Sequence, residues 1–169
     1  MVIPVVWALL EDYFGLAMIL FAVAGASDGL DGFLAKHYHW ESRLGSILDP
    51  LADKLLLVAS FASLVWLELL PASLLWLVLG RDIVIVVGGL AYHYLLGQFT
   101  LLPLWSSKTN TLFQILLVLG VIIGHYADLA IAFWIDIGTW LVVASVLISG
   151  MEYVIVWGRK AWQQHKKNQ

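Results

Sequence analysis

Cysteine is absent from the sequence, so disulfides and thiolate metal sites are excluded. Charge is scarce. Asp, Glu, Lys and Arg make up 12% of the 169 residues, against roughly 25% in a soluble domain. The net charge of −3 says less than where the charges fall, and no nucleic-acid partner is expected. The start of the chain lacks a basic leading region and a small-residue cleavage site, so no cleavable signal peptide is expected. Internal repeats and linkers are missing as well, including the inverted repeats of many transporters. The length then sets one domain, 1–169, as the expectation.

What fills the chain is apolar. Hydrophobic residues make up 62%, with nine Trp, and the mean hydropathy is +0.90. This composition predicts an all-α integral membrane protein. Residues 1–10 are apolar but reach only half of the roughly 20 residues that a span needs; they are expected to be a truncated first helix rather than a re-entrant piece. Full spans are expected at about 15–37, 43–66, 72–96, 108–124 and 129–157, with turns or loops at 38–42, 69–71, 97–107 and 125–128. The result is a six-transmembrane-helix bundle of five full spans plus a partial one, followed by a basic tail at 158–169.

Topology follows from the basic residues. Lys36, Arg43, Lys108, Arg159, Lys160, Lys166 and Lys167 fall at one set of span ends, and Glu11, Asp12, Glu68 and Asp128 at the other. Both termini are therefore expected in the cytoplasm. Trp7, Trp66, Trp105, Trp134 and Trp157, near span ends, read as an interfacial belt, and the basic tail can touch anionic lipid headgroups.

Against this background, residues 28–53 stand out. Asp28 and Asp31 are three apart, Asp49 and Asp53 four apart, and small residues lie between them. On a helix, residues three or four apart share a face. Asp28, Asp31, Gly32, Ala35 and Lys36 form one stripe, and Gly45, Asp49 and Asp53 another. A short turn joins the two spans at the cytoplasmic side, so the stripes can face each other. One acid pair at a helix end is usually solvated, and Gly and Ala on one face usually mean helix packing. Four carboxylates on adjoining spans are costly to keep and would repel. Divalent cations such as Mg²⁺, Mn²⁺ or Ca²⁺ resolve this, because hard cations take oxygen ligands and Mg²⁺ is commonly shared with substrate phosphates. Lys36 adds a positive charge at the mouth, suited to a diphosphate. An unlike alternative is a non-enzymatic cation transporter or channel using the same acids; it leaves Gly32, Ala35 and Gly45 without a reason.

The pattern Asp28-x2-Asp31-Gly32-x2-Ala35-Lys36-x8-Gly45-x3-Asp49-x3-Asp53 resembles the signature of the CDP-alcohol phosphatidyltransferases. The spacing agrees throughout, and Lys36 departs from the family's usual Arg. The stretch 48–54, reading Leu-Asp-Pro-Leu-Ala-Asp-Lys, looks like the branch that makes phosphatidylglycerophosphate and cardiolipin. The stretches at 80–86, 107–111 and 158–160 look more like CMP-forming cardiolipin synthases. The family's N-terminal interfacial helix and full first span are not matched, so the chain is expected to be truncated or to start at another Met.

The resemblance implies six spans, a homodimer in a bacterial inner membrane, and an active site on the cytoplasmic side. It implies transfer of the phosphatidyl group from CDP-diacylglycerol, with two Mg²⁺ or Mn²⁺ ions, to phosphatidylglycerol or alternatively to glycerol 3-phosphate. By the same resemblance Asp28, Asp31, Asp49 and Asp53 are metal ligands, and Asp53 is also the base. Gly32, Ala35, Lys36 and Gly45 line the CDP site. Arg81 and Lys108 are candidates for the acceptor phosphate. Taken bottom-up, Arg81 reads equally as half of a structural pair with Asp82, since an intramembrane Arg needs a partner, and Lys108 as a topology anchor. His37, His39 and His93 read as polar anchors near the interfaces.

Overall fold

A computed structural model describes residues 1–38, 45–96 and 105–167, with the backbone alone at 28–29, 31–38, 45–52, 89–96 and 157–167. The described residues form six helices and no strands: α1 (Val2–Leu10), α2 (Phe14–Tyr38), α3 (Gly45–Trp66), α4 (Ala72–Leu96), α5 (Trp105–Tyr126) and α6 (Ala132–Lys167). The expected all-helical class and helix order are observed, and α4 has the expected limits. Among the described residues, two helical stretches are long and apolar enough to cross a membrane, Trp105–Tyr126 and Ala132–Val156, and Phe14–Ser27 is a shorter apolar stretch. The exterior is apolar too: Ile3, Trp66, Trp76, Trp105 and Trp140 are all exposed, which a protein surrounded by water does not sustain on this scale.

Several boundaries differ from expectation, the start of α6 at Ala132 rather than 129 among them, and two of the departures have a local cause. Helix α5 begins at Trp105 rather than 108. Its early hydroxyls do not pull the chain into a loop, because Thr109 Oγ1 donates to the Trp105 carbonyl at 3.1 Å and Thr111 Oγ1 to that of Ser107 at 3.1 Å. Such back-bonding to the preceding turn keeps Thr inside a helix. Helix α6 runs ten residues past 157, to Lys167. The segment beyond Gly158 is rich in Arg, Lys, Ala and Gln, all good helix formers, and its terminal lysines complement the negative end of the helix dipole. The expected connections at 39–42 and 97–104, with Pro103, lie outside the described residues.

The chain divides into two compact units, Met1–Ala72 with Val118–Phe133, and Ser73–Leu117 with Trp134–Gln169. In the first, α1 packs against α2 and α3, and α2 also touches α3. The buried side chains repeat at helical spacing: Val5, Ala8 and Leu9 on α1; Ala17, Phe21 and Ala24 on α2; Leu56, Leu57, Ser60, Phe61 and Leu64 on α3. The alanines let helix backbones approach while Phe61, fully buried, fills the space between them. The buried Ser60 hydroxyl donates to the Leu56 carbonyl at 2.8 Å, so it needs no partner across the interface.

Three helix ends in this unit share one device. Asp12, Glu68 and Asp128 have φ of 59°, 60° and 50°. Each is the first residue beyond a helix C-cap. The next residue's N–H bonds back five residues: Tyr13 to Ala8 at 2.8 Å, Leu69 to Leu64 at 2.9 Å, Leu129 to Gly124 at 3.0 Å. The acid's own N–H bonds back three, to Leu9, Val65 and His125. This is the Schellman arrangement, in which a left-handed residue lets the chain satisfy the last helical carbonyls. Glycine is usual there; here an acid holds all three places. The third turn is tight enough that a Cβ on Gly124 would lie 1.7 Å from Ile131 Cδ1.

The second unit has a polar interior. Leu74, Val78 and Arg81 on α4 are buried, as are Asn110 and Gln114 on α5 and Val142, Ser145, Val146, Ser149 and Tyr153 on α6. The Ser145 hydroxyl lies 2.8 Å from Asn110 Oδ1 and 2.9 Å from the Val142 carbonyl, sharing its proton between them.

Candidate active site

Two groups of sequence-selected residues lie in the described helices, one in each unit. The first is the aspartate set. Asp28, Asp31, Gly32, Ala35 and Lys36 lie in the last half of α2, and Gly45, Asp49 and Asp53 in the first turns of α3. The helical backbone places Asp28 and Asp31 about one turn apart on one face, about 4.5 Å along the axis, and Asp49 and Asp53 likewise, about 6 Å apart along theirs. The two helices touch and are consecutive in the chain, so the two acid-bearing ends flank the same connection. Asp53 is exposed and Lys54 half-buried. The side chains of Asp28, Asp31, Lys36 and Asp49 lie outside the described residues, as do those of His37, His39 and His93.

The second group centres on Arg81. It is 8% exposed, deep for a guanidinium. Its Nη1 donates to Asp82 Oδ1 at 2.9 Å, the neighbouring ion pair that the sequence offered as the plainer alternative for Arg81. Its Nη2 donates to Ser107 Oγ at 2.9 Å and to Ser149 Oγ at 2.5 Å. The guanidinium carbon stands 5.8 Å from the centre of the Tyr153 ring, within cation–π range. Nε is buried without a hydrogen-bond partner among the described residues. Arg81 therefore ties α4 to α5 and α6 and keeps one donor in reserve. It also borders a cavity of about 500 Å³ whose walls include Trp76, Val84, Leu147 and Met151. Lys108, in contrast, is exposed and sits 5.4 Å from the centre of the Trp105 ring.

Ser107, Ser149 and Tyr153 were not singled out as partners of Arg81 by their sequence. A weak signal exists in retrospect: Ser145, Ser149 and Tyr153 are spaced four apart, so they form one polar line along an otherwise apolar helix. In hydrocarbon such a line needs a polar counterpart, and Asn110 and Arg81 supply it.

The description of CDP-alcohol phosphatidyltransferase as a family matches residues 1–158. Among curated proteins, the chain is 34% identical over 141 residues to a human (Homo sapiens) cardiolipin synthase (CMP-forming), covering 72% of this chain and 47% of that protein. It is 32% identical over 172 aligned positions to a rice (Oryza sativa subsp. japonica) chloroplastic CDP-diacylglycerol–glycerol-3-phosphate 3-phosphatidyltransferase, covering 90% and 52%. It is 34% identical over 119 residues to the Aquifex aeolicus enzyme of that second activity, covering 69% and 66%. The chain thus spans about half the length of the human and rice relatives.

Proposed function

The chain belongs to the CDP-alcohol phosphatidyltransferase family, and we propose that it transfers the phosphatidyl group of CDP-diacylglycerol to the hydroxyl of phosphatidylglycerol, releasing CMP. The observation that carries this is the eight-point Asp28–Asp53 pattern, held on consecutive helices that touch. The choice of acceptor rests on the human relative and on the stretches at 80–86 and 107–111. A second reading takes glycerol 3-phosphate as acceptor, and the names of the rice and Aquifex relatives favour it.

In this proposal the chain is one membrane domain with six spans, α1 being partial, working as a homodimer in a bacterial inner membrane. Both termini, the basic tail at 158–169 and the aspartates face the cytoplasm. The donor set of Asp28, Asp31, Asp49 and Asp53 offers hard carboxylate oxygens at one-turn spacing on two helices, which suits two Mg²⁺ or Mn²⁺ ions. When bound, such ions polarise a diphosphate and offset charge on its leaving group.

The remaining chemistry belongs to the chain. Gly32, Ala35 and Gly45 keep side chains out of the way of the nucleotide, and Lys36 offers its ammonium to a phosphate oxygen. The acceptor hydroxyl attacks the β-phosphorus of CDP-diacylglycerol; the bond from that phosphorus to the bridging oxygen breaks, and CMP departs with that oxygen. Asp53 receives the hydroxyl proton. Arg81, with its unbonded Nε, and the exposed Lys108 are proposed to attract the acceptor's phosphate. Positioning of two lipid headgroups supplies most of the acceleration.

The test offers purified protein CDP-diacylglycerol, Mg²⁺ or Mn²⁺, and each acceptor separately, and measures CMP. Release with phosphatidylglycerol alone is expected. Release with glycerol 3-phosphate alone would move the acceptor assignment, and none with either would sink the enzymatic proposal for this chain.

A further inference from the structure

A second cleft lies far from the aspartates. It has a volume of about 580 Å³ and is walled by Trp7, Asp12, Tyr13, Phe14, His125 and Tyr126, drawn from α1, the first turn, α2 and α5, all within the first unit. It opens where α2 begins, whereas Asp31 lies 17 positions further along that helix, about 25 Å away at helical rise. We infer that this cleft holds the ammonium headgroup of a membrane lipid, of the ethanolamine or choline class.

The lining carries the argument. Four aromatic rings converge on one space, whereas an interfacial belt distributes them around the perimeter. The pairs are inclined rather than stacked: Trp7 and Tyr13 at 50° with centres 5.8 Å apart, Phe14 and His125 at 63° and 4.9 Å. A stacked pair would bury two ring faces against each other; these leave faces open, and Trp7, Tyr13 and Tyr126 are each more than half exposed. Open aromatic faces attract a cation through the ring quadrupole. Asp12 adds a carboxylate, and among the described residues neither Lys nor Arg lines the cleft to compete for it. Gly15 makes room: a Cβ there would lie 2.6 Å from Tyr126 Cε2, so any other residue would push that ring aside.

Acyl chains have a path leading away from the same place. Ile3, Trp7 and Leu10 share a face of α1, and Leu16, Ile19 and Val23 a face of α2; all six are exposed. Trp7 and Leu16 also line the cleft, so apolar surface continues from the polar end down both helices. A free amine would use only the cleft; a lipid uses both.

The test reconstitutes the full chain in vesicles holding equal amounts of phosphatidylethanolamine and its N-acetyl derivative, which keeps the acyl chains but loses the ammonium. Native mass spectrometry then counts the lipid retained. The expected preference for phosphatidylethanolamine is about tenfold, the scale of one cation–π contact plus one exposed ion pair. Asp12→Asn, which keeps a residue tolerant of the left-handed backbone, removes the ion pair but leaves the aromatic faces, so the ratio should fall to about threefold. Gly15→Ala, which leaves the charge in place, should lower it as well. Equal retention by the unmodified chain, or a ratio that Asp12→Asn leaves unchanged, would overturn the site. Free choline should not displace the lipid at millimolar concentration; displacement would overturn the lipid as occupant in favour of a soluble amine.

Discussion

Arg81 offers the sharpest quantitative test, because its two assigned roles separate on mutation. Replacing it with Met keeps the length of the side chain and removes the charge. The change deletes the donor to Asp82 at 2.9 Å and the donors to Ser107 and Ser149 at 2.9 and 2.5 Å. It also deletes the cation–π contact with Tyr153. Removing one partner of a buried ion pair costs about 3–5 kcal/mol, and water at the 13% exposed Asp82 side chain, with that residue's other contacts, offsets only part of the loss. An apparent unfolding free energy lowered by about 3 kcal/mol or more is therefore expected in mixed micelles. Ser149→Ala removes one acceptor and leaves the charge, and should cost about 1.5–3 kcal/mol, the range for a charge-assisted hydrogen bond. The double variant Arg81→Met with Ser149→Ala should cost less than the sum, because the two residues share one contact. If the hub is structural, Arg81→Lys, which keeps charge but loses the fork, lowers stability while the acceptor KM stays near its original value. A rise in acceptor KM well beyond the loss of folded protein is expected if Nε also serves the acceptor's phosphate. Additive effects of Arg81 and Ser149, with Arg81→Met costing less than about 1 kcal/mol, would refute the hub itself.

Other outcomes follow from the same geometry. Asp53→Asn should reduce CMP release by about 100-fold or more, the span of general-base effects, with an unchanged yield of folded protein. Chelation should abolish release and added Mg²⁺ or Mn²⁺ should restore it; release that persists in excess chelator would remove the metal from the aspartate set. Lys36→Arg should tighten competitive inhibition by CDP, since a planar fork grips a diphosphate with two bonds where an ammonium offers a point charge. Glu68→Gly should raise stability by up to about 1 kcal/mol, since a left-handed glutamate is strained, and Asp128→Gly by less, because aspartate tolerates that backbone better; equal or opposite shifts in thermal unfolding would count against the turn geometry.

Much of the helical plan was legible from hydropathy. The limits of α4 coincide with the apolar run at 72–96, and the acids at 11–12, 68 and 128 marked three turns correctly. Legibility failed where side chains chose between two local bonding options. Ser106 and Ser107 read as the end of a loop because Ser favours turns, yet α5 already runs through them, and Thr109 and Thr111 just beyond bond to carbonyls one turn back. A basic tail was expected from 158, but the good helix formers there carry α6 onward. The aspartate pattern was visible because its spacing is short and periodic. The surroundings of Arg81 were only half visible. Asp82 is adjacent, whereas Ser107 and Ser149 lie 26 and 68 positions away, and a serine on an apolar helix carries no sign of what it faces. The left-handed backbone at the three acids was equally hidden, since glycine is the residue that usually announces it.

Those three turns have an electrical consequence. Helices α1, α3 and α5 all finish at an acid, so the negative pole of each helix coincides with a carboxylate at that end. In the proposed topology, with the lysines and arginines on the negative side of an energised membrane, Asp12, Glu68 and Asp128 lie where the field drives them. Turning the unit over would move each charge against the potential, at about 2.3 kcal/mol per charge for every 100 mV. The membrane potential would then act as a standing check on the proposed orientation.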